Sequence, residues 1–502
     1  MAKNLISRKT CVYNQINYDE NTLSTSDGYP GKAEFQDTKH SVEEVIEYVG
    51  FGRYQILLLF VAGFSWMADA MEMMILAILG PVSRCEWSLE PWDEALLSTV
   101  VFVGMFVSSA LWGKICDLYG RKSGIVLSSA WIMYFGILSA ISPTYNWILF
   151  LRFLVGCGIS GLGQVVVLYA EFVPARYRAV TILALGGFWG VGGILEVLLA
   201  IAVMPRLGWR WLLAFSSLPL VIFILLSVGL PESPRFHVSA GEVQKGYQTL
   251  VEVAKCNGKE IPGSQSCLQS TEVQERGRIV DLFLNSYWRT TILVWIQMLG
   301  GLLIYYGILL MTPEIFQYRR QKRCDEGAVL LEEDKHVTGC GCKSLEEEDY
   351  YALLLTSFAD IPGLLVVMLF IDRIGRIKTL VVGFGCTFVL FLLLMLCNGE
   401  TMTTIFVFGV RYFSTGVTQA LFIYVPEVYP TNIRGLGLGT ASAMARIGCI
   451  ITPFLAQVLV KRSLRLTLLV YAGCALACSV AAALLPIETS GKQMKETSRG
   501  KE

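Results

Sequence analysis

The chain has 502 residues, 54% hydrophobic and only 16% charged, with 41 basic and 41 acidic side chains in balance. A soluble domain carries nearer a quarter charged residues, so the shortfall points to lipid as the solvent for most of the chain. Zero net charge removes the electrostatic case for a nucleic-acid partner, and the three histidines, His40, His237 and His336, all sit in polar stretches. No catalytic constellation, metal site or cofactor motif can be assembled from them.

Residues 1–53 are polar, and 42–50 form an amphipathic patch expected to lie along the inner membrane surface. Nothing at the start has the apolar core of a cleavable signal peptide, so the first membrane helix is expected to direct insertion. Apolar segments follow near 54–79, 94–112, 123–142, 147–172, 180–203 and 210–230. A polar interruption, 231–288, contains a helical patch at 242–256. Six more apolar segments lie near 289–311, 350–371, 378–397, 402–428, 436–460 and 465–487. Each approaches or exceeds the roughly 20 residues that cross about 30 Å of hydrocarbon, and none alternates as a strand would.

The expected architecture is therefore an all-α polytopic membrane protein with twelve transmembrane helices in two six-helix bundles, 54–230 and 289–487. Short loops on the side of the termini carry nine basic residues against six opposite, so 1–53, 231–288 and 488–502 are expected to be cytosolic. The loop 312–349 is then noncytosolic. Its Cys324, Cys340 and Cys342 suit a disulfide better than zinc. Which cellular membrane holds the chain, plasma membrane or intracellular vesicle, is left open by these features.

The two bundles are an internal repeat. Gly113, Asp117, Gly120, Arg121 and Lys122, in a charged stretch between the second and third spans, return after 255 residues as Asp372, Arg373, Gly375 and Arg376. Glu171 and Arg178 return after 256 residues as Glu427 and Arg434. Glycines permit tight turns, the aspartates can accept from exposed helix amides, and the cations suit the inner membrane surface. These are candidate gating loops of two halves that open alternately to either side.

Ionisable residues inside the spans are the candidate site. Counting 1.5 Å per residue, Asp69 and Glu72 lie about 16 and 12 Å below the outer end of the first span. Arg152 and Glu196 lie at neighbouring depths, about 9 and 10 Å down. Burying charge in lipid costs several kcal/mol unless it is paired or hydrated, so these four are candidates for transport or proton coupling, with Arg152 facing either Asp69 or Glu72. Asp360, Arg411 and Arg446 in the second half, with Gln297, Tyr305 and Tyr306, are candidates for a substrate cavity.

These motifs resemble the major facilitator superfamily over all twelve spans. The stretch 113–122 is similar to its loop between helices two and three, and 372–378 to the second-half copy, with Met368 replacing the expected glycine. Pro231-Glu-Ser-Pro-Arg235-Phe resembles a signature of the sugar and organic-ion branches, and Asp69-Ala-Met-Glu72 an Asp-Gly-x-Asp element of aromatic-acid proton symporters. The segments 63–74, 131–143, 168–173 and 208–213 resemble the synaptic vesicle 2-related family. The antiporter glycine-proline pattern is broken by Val191 after Gly190. The resemblance implies a multi-pass secondary transporter of a small organic ion or metabolite, with possible proton coupling. The alternative is a transport-incompetent receptor or scaffold acting through 231–288 or 312–349.

Overall fold

In hydrocarbon a backbone amide has no water to bond, so each apolar stretch must satisfy its own ladder. The computed structural model describes residues 40–261, 278–283, 287–327, 345–396 and 399–489, and twelve helices within them are long and apolar enough to cross a membrane. An amphipathic α1, Val42–Val49, precedes six spans: α2 Arg53–Trp87, α3 Pro91–Tyr119, α4 Arg121–Ala140, α5 Tyr145–Ala170, α6 Ala175–Leu207 and α7 Trp209–Ser227. Two short helices, α8 Pro234–Ser239 and α9 Val243–Cys256, lead to the second half. Its spans are α10 Tyr287–Tyr318, α11 Glu347–Ile374, α12 Arg376–Leu394, α13 Glu400–Val428, α14 Ile433–Arg462 and α15 Leu464–Ala483.

Close packing explains several glycines where an ordinary side chain would collide. A Cβ on Gly156 of α5 would lie 2.2 Å from the Val101 carbonyl of α3, and one on Gly104 would lie 2.4 Å from the Phe153 carbonyl. The backbones therefore touch at a small-residue crossing, which in lipid supplies van der Waals contact that hydrophobicity cannot. Between the halves, α3 packs on α14, α6 on α11 and α2 on α10.

Two expectations need correction. The stretch after Gly113 is not a loop: α3 runs on to Tyr119, and the turn is made at Gly120 alone, φ 102°. Gly375 makes the matching turn at φ 95°, a region an L side chain rarely enters. The helix of α10 continues from Thr312 to Gly327 through the expected loop, because Pro313 removes only one amide and no further breaker follows until Gly327. At the start of the tail Glu488 and Thr489 both bond to the second bundle.

The amphipathic patch is a docked helix rather than a free one. Ser41 and Glu44 form a capping box, and Val42, Val45, Ile46 and Val49 are buried in a cluster with Leu250, Val253 and Ala254 of α9. Glu43 reaches Arg178 at 3.1 Å and Arg235 at 3.0 Å. Burial pushes the Glu43 carboxyl up, but the two arginines outweigh it and hold the group below its usual value.

Candidate functional site

At the face carrying α1 the repeat is reproduced in bonds. Asp117 pairs with Arg121 at 2.8 Å and Asp372 with Arg376 at 2.8 Å. Arg121 approaches Glu171 at 3.6 Å, while Arg376 meets Glu427 at 3.0 Å. The exposed amides are met by two glutamates. Glu232 accepts from the backbone amides of Lys122 and Ser123, at 2.9 and 3.4 Å, and Glu488 from those of Arg376 and Ile377, at 3.0 and 3.1 Å. A carboxylate at a helix N-terminus satisfies orphan donors and the helix dipole together.

Arg178 and Arg434 sit equivalently, each donating to the carbonyl five residues before it, Val173 and Tyr429, at 3.5 and 3.4 Å. Burial pushes up the Glu171 carboxyl, and Ser233, Arg121 and Arg235 only partly offset it. Lys122 donates its ammonium to the Leu230 carbonyl, Arg373 is exposed, and nothing packs against Gly113 closely enough to require glycine. Among the described residues no salt bridge crosses between the halves at this face, and Arg434 instead has Arg178 as a like-charged neighbour.

The opposite face is bridged by ion pairs between the halves. Arg84 of α2 and Glu94 of α3 come from the first half, Glu314 of α10 and Lys461 of α14 from the second. Arg84 lies 3.6 Å from Glu94 and 3.9 Å from Glu314, and Lys461 pairs with Glu94 and, at 3.5 Å, with Glu314. Both carboxylates are buried, and Trp92 packs on Phe454 beside them, ring centroids 5.2 Å apart. Sequence reasoning missed this network. Its only signal was an acidic residue inside the first turn of one span and a lysine near the end of another.

Between the faces lie the intramembrane charges. Arg152 Nη1 donates to Glu72 at 2.8 Å, with both side chains almost wholly buried. Arg152 Nε and Nη2 have no hydrogen-bond partner among the described residues. Glu196 is held by Ser216, whose hydroxyl lies 2.9 and 2.8 Å from its two oxygens. In the second half Arg411 grips Asp360 through Nε at 3.3 Å and Nη2 at 3.0 Å, and Thr415 adds a bond of 2.6 Å. A buried pair with this geometry is tolerated because each charge is answered locally.

The remaining candidates face the junction. Trp189 of α6 donates to the Tyr305 hydroxyl of α10 at 2.7 Å, and Phe102 of α3 packs on Tyr306 with centroids 5.2 Å apart. Asp69, on the same helix face as Glu72, is not joined to Arg152. Its Oδ1 has no hydrogen-bond partner among the described residues, and the same holds for Arg446 Nη1 and for both amide atoms of Gln297. No cluster of metal-ligand type is found among the described residues. The side chains of Cys324, His336, Cys340 and Cys342 lie outside the described residues. Cys85, which sequence reasoning did not single out, is disulfide-bonded, and its partner is none of the free cysteines described.

The model for "Sugar (and other) transporter" matches residues 51–319, and that for "Major Facilitator Superfamily" residues 348–501. The chain is 47% identical over 465 residues to the synaptic vesicle 2-related protein of Xenopus laevis, covering 92% of this chain and 83% of that one. It is 36% identical over 464 residues to SVOPL of Mus musculus, covering 91% and 93%. In three dimensions it is similar to the xylose transporter XylE from E. coli in a partially occluded inward open conformation, with TM-score 0.69 at 14% identity, covering 88% of this chain and 99% of the other.

Proposed function

The chain belongs to the sugar (and other) transporter family within the major facilitator superfamily, and from that premise we propose that it moves a small organic ion or metabolite across the membrane by alternating access, with proton coupling at Glu72. The protein is a multi-pass membrane transporter; the substrate class, the coupling and the sidedness are the proposal. The observation that carries it is asymmetric closure. Charges from both halves lock one face, Arg84 and Glu94 against Glu314 and Lys461, while the other face has bonds only within each half among the described residues. The positive-inside bias assigns the locked face to the noncytosolic side.

Glu72 is the coupling group because its single bond to Arg152 is breakable by a proton. Loss of the Glu72 charge removes the ion pair and frees Arg152, whose Nε and Nη2 are otherwise unpartnered among the described residues. Asp117, Arg121, Glu171 and their second-half counterparts hold each bundle's cytosolic end rigid while the bundles rock.

The test is uptake of a panel of organic anions, cations and polyols into sealed vesicles containing purified protein, across mildly acidic to neutral pH. Glu72→Gln is expected to bind substrate and lose the pH dependence of net uptake. Loss of folded protein with the pH dependence intact in the remainder makes Glu72 a structural partner of Arg152. Wild-type uptake by the variant at every pH removes it from the mechanism.

A further inference from the structure

Glu72 and Asp360 each lie against an arginine, Arg152 at 2.8 Å and Arg411 at 3.0 Å. Glu196 of α6 does not. It is 0% exposed, it forms no ion pair within 4.0 Å among the described residues, and the one side chain there that bonds to it is Ser216 of α7. Ser216 Oγ lies 2.9 and 2.8 Å from the two carboxyl oxygens and 2.8 Å from the Leu212 carbonyl. A serine hydroxyl has a single hydrogen, so an ionised Glu196 would leave it standing among three acceptors.

Were that hydrogen to go to the carboxylate, one bond from a neutral donor would stand against the desolvation of a whole charge, and it is too weak to offset it. A proton on Glu196 resolves the arrangement. The carboxylic acid donates to Ser216 Oγ and Ser216 donates to the Leu212 carbonyl, so each donor meets one acceptor and no charge is buried.

The surrounding charges do not alter this count. Glu72 Oε1 lies 3.5 Å, and Ser217 Oγ 3.4 Å, from the place a Cβ on Gly136 would take, so the Glu72–Arg152 pair and the serines of α7 border the same glycine of α4. The Arg152 guanidinium is already taken up by Glu72, and Asp69, one turn before Glu72 on α2, adds an acid and no cation. Asp360 of α11 and Arg411 of α13 approach α6 at Gly190 and Gly193, 3.4 and 3.8 Å from a Cβ placed there, and bond to each other. Arg210 of α7 pairs with Glu86. We propose that Glu196 is a second proton-binding site beside Glu72, occupied by a proton in this conformation, with Ser216 as its positioning residue. Its place in a transport cycle rests on the transport reading above, whereas the proton itself rests on these bonds. Glu196 lies past the midpoint of α6 towards the bridged face. Water admitted when that face opens removes the penalty on the charged form, and the proton leaves to that side.

The test is infrared difference spectroscopy of the full chain at neutral pH in an ester-free detergent, where the carbonyl stretch of a protonated carboxylic acid stands clear of the carboxylate bands. The spectrum of wild type minus Glu196→Gln is expected to contain such a band, and Glu72→Gln should keep it. Ser216→Ala removes the acceptor for the acid's hydrogen and should move the band to higher frequency, with Ser216→Thr restoring its position; a merely structural role for Ser216 would leave the band in place, and this shift is readable even where Glu196→Gln fails to fold. In Lys461→Met protein whose amides exchange faster at the bridged face, the band should weaken at unchanged pH. The proposal is overturned if folded Glu196→Gln protein has the wild-type spectrum, if Ser216→Ala leaves the band unmoved, or if the band is undiminished in the opened Lys461→Met protein. Failure of uptake for the whole panel with the Glu196 band in place would remove the transport reading and leave the proton site standing.

Discussion

Replacing Lys461 by methionine isolates the lock between the halves. The change keeps the apolar stem and removes the ammonium, leaving the buried Glu94 and Glu314 carboxylates with Arg84 at 3.6 and 3.9 Å as their remaining described cation. Opposite unit charges near 4 Å attract by about 4 kcal/mol at the effective dielectric of a protein surface, and removing one partner from a buried pair costs about 3–5 kcal/mol. Lys461 retains 18% side-chain exposure, so the lower end of that range, about 3 kcal/mol, applies. The penalty falls only on the conformation in which the halves meet at this face. It should therefore shift the closed-to-open ratio by about a hundredfold. Hydrogen–deuterium exchange reads this directly: amides at the start of α3 and the end of α14 should exchange faster, while those near Gly120 and Gly375 slow as the other face closes. Lys245→Met, at a surface pair with Glu242, serves as the control and should change neither. A folded Lys461→Met protein with wild-type exchange at both faces would refute the lock.

Glu232→Gln and Glu488→Gln should each lower the melting temperature through loss of an N-terminal carboxylate worth about 1 kcal/mol and slow turnover while substrate binding persists; unchanged stability and turnover in both would show that the amides of α4 and α12 find water equally good. Asp360→Asn leaves Arg411 buried without its counter-ion and should cost about 3–5 kcal/mol, with Asp360→Asn plus Arg411→Gln recovering part of it. A double variant less stable than the single one, by thermal melting, would contradict that assignment. The lowered Glu43 pKa means that α1 docking is fully stabilised above the usual carboxylate value of 4.5 and loses that contribution as pH falls through the depressed folded value. Proteolysis between α1 and α2 should accordingly quicken only below pH 4.5, and Glu43→Gln should abolish that step.

Periodicity, length and repeat offset were sufficient for the architecture because lipid enforces helix on every apolar stretch, and all twelve spans fall where composition puts them. The depth ruler brought Glu72, Arg152 and Glu196 to one level; Glu72 and Arg152 bond at 2.8 Å, while Glu196 bonds Ser216. Depth could not say which of Asp69 and Glu72 meets Arg152. Residues three apart on a helix differ by about 60° in direction, and the choice depends on how α2 is rotated against α5. Motif residues were readable, but their bonding was not. Asp117 turned out to serve Arg121, and the acceptors for the α4 and α12 amides, Glu232 and Glu488, come from segments that read as the start of a loop and of a tail. They too are 256 residues apart, so the repeat held a signal that the divergent sequence around Glu488 concealed. The Glu94–Lys461 contact joins residues separated by 367 positions, which neither spacing nor periodicity can reach.

Alternating access is tested most directly by two distances measured in one preparation. Spin labels at the exposed Ser88 and Arg465 report the locked face, and labels at Tyr119 and Ile374 the face carrying α1. In nanodiscs both pairs should show two populations, and acidification or Lys461→Met should move them in opposite senses, one pair lengthening as the other shortens. A single unchanged distance for each pair under all of these conditions would contradict a transporter that works by rocking two halves about a central site.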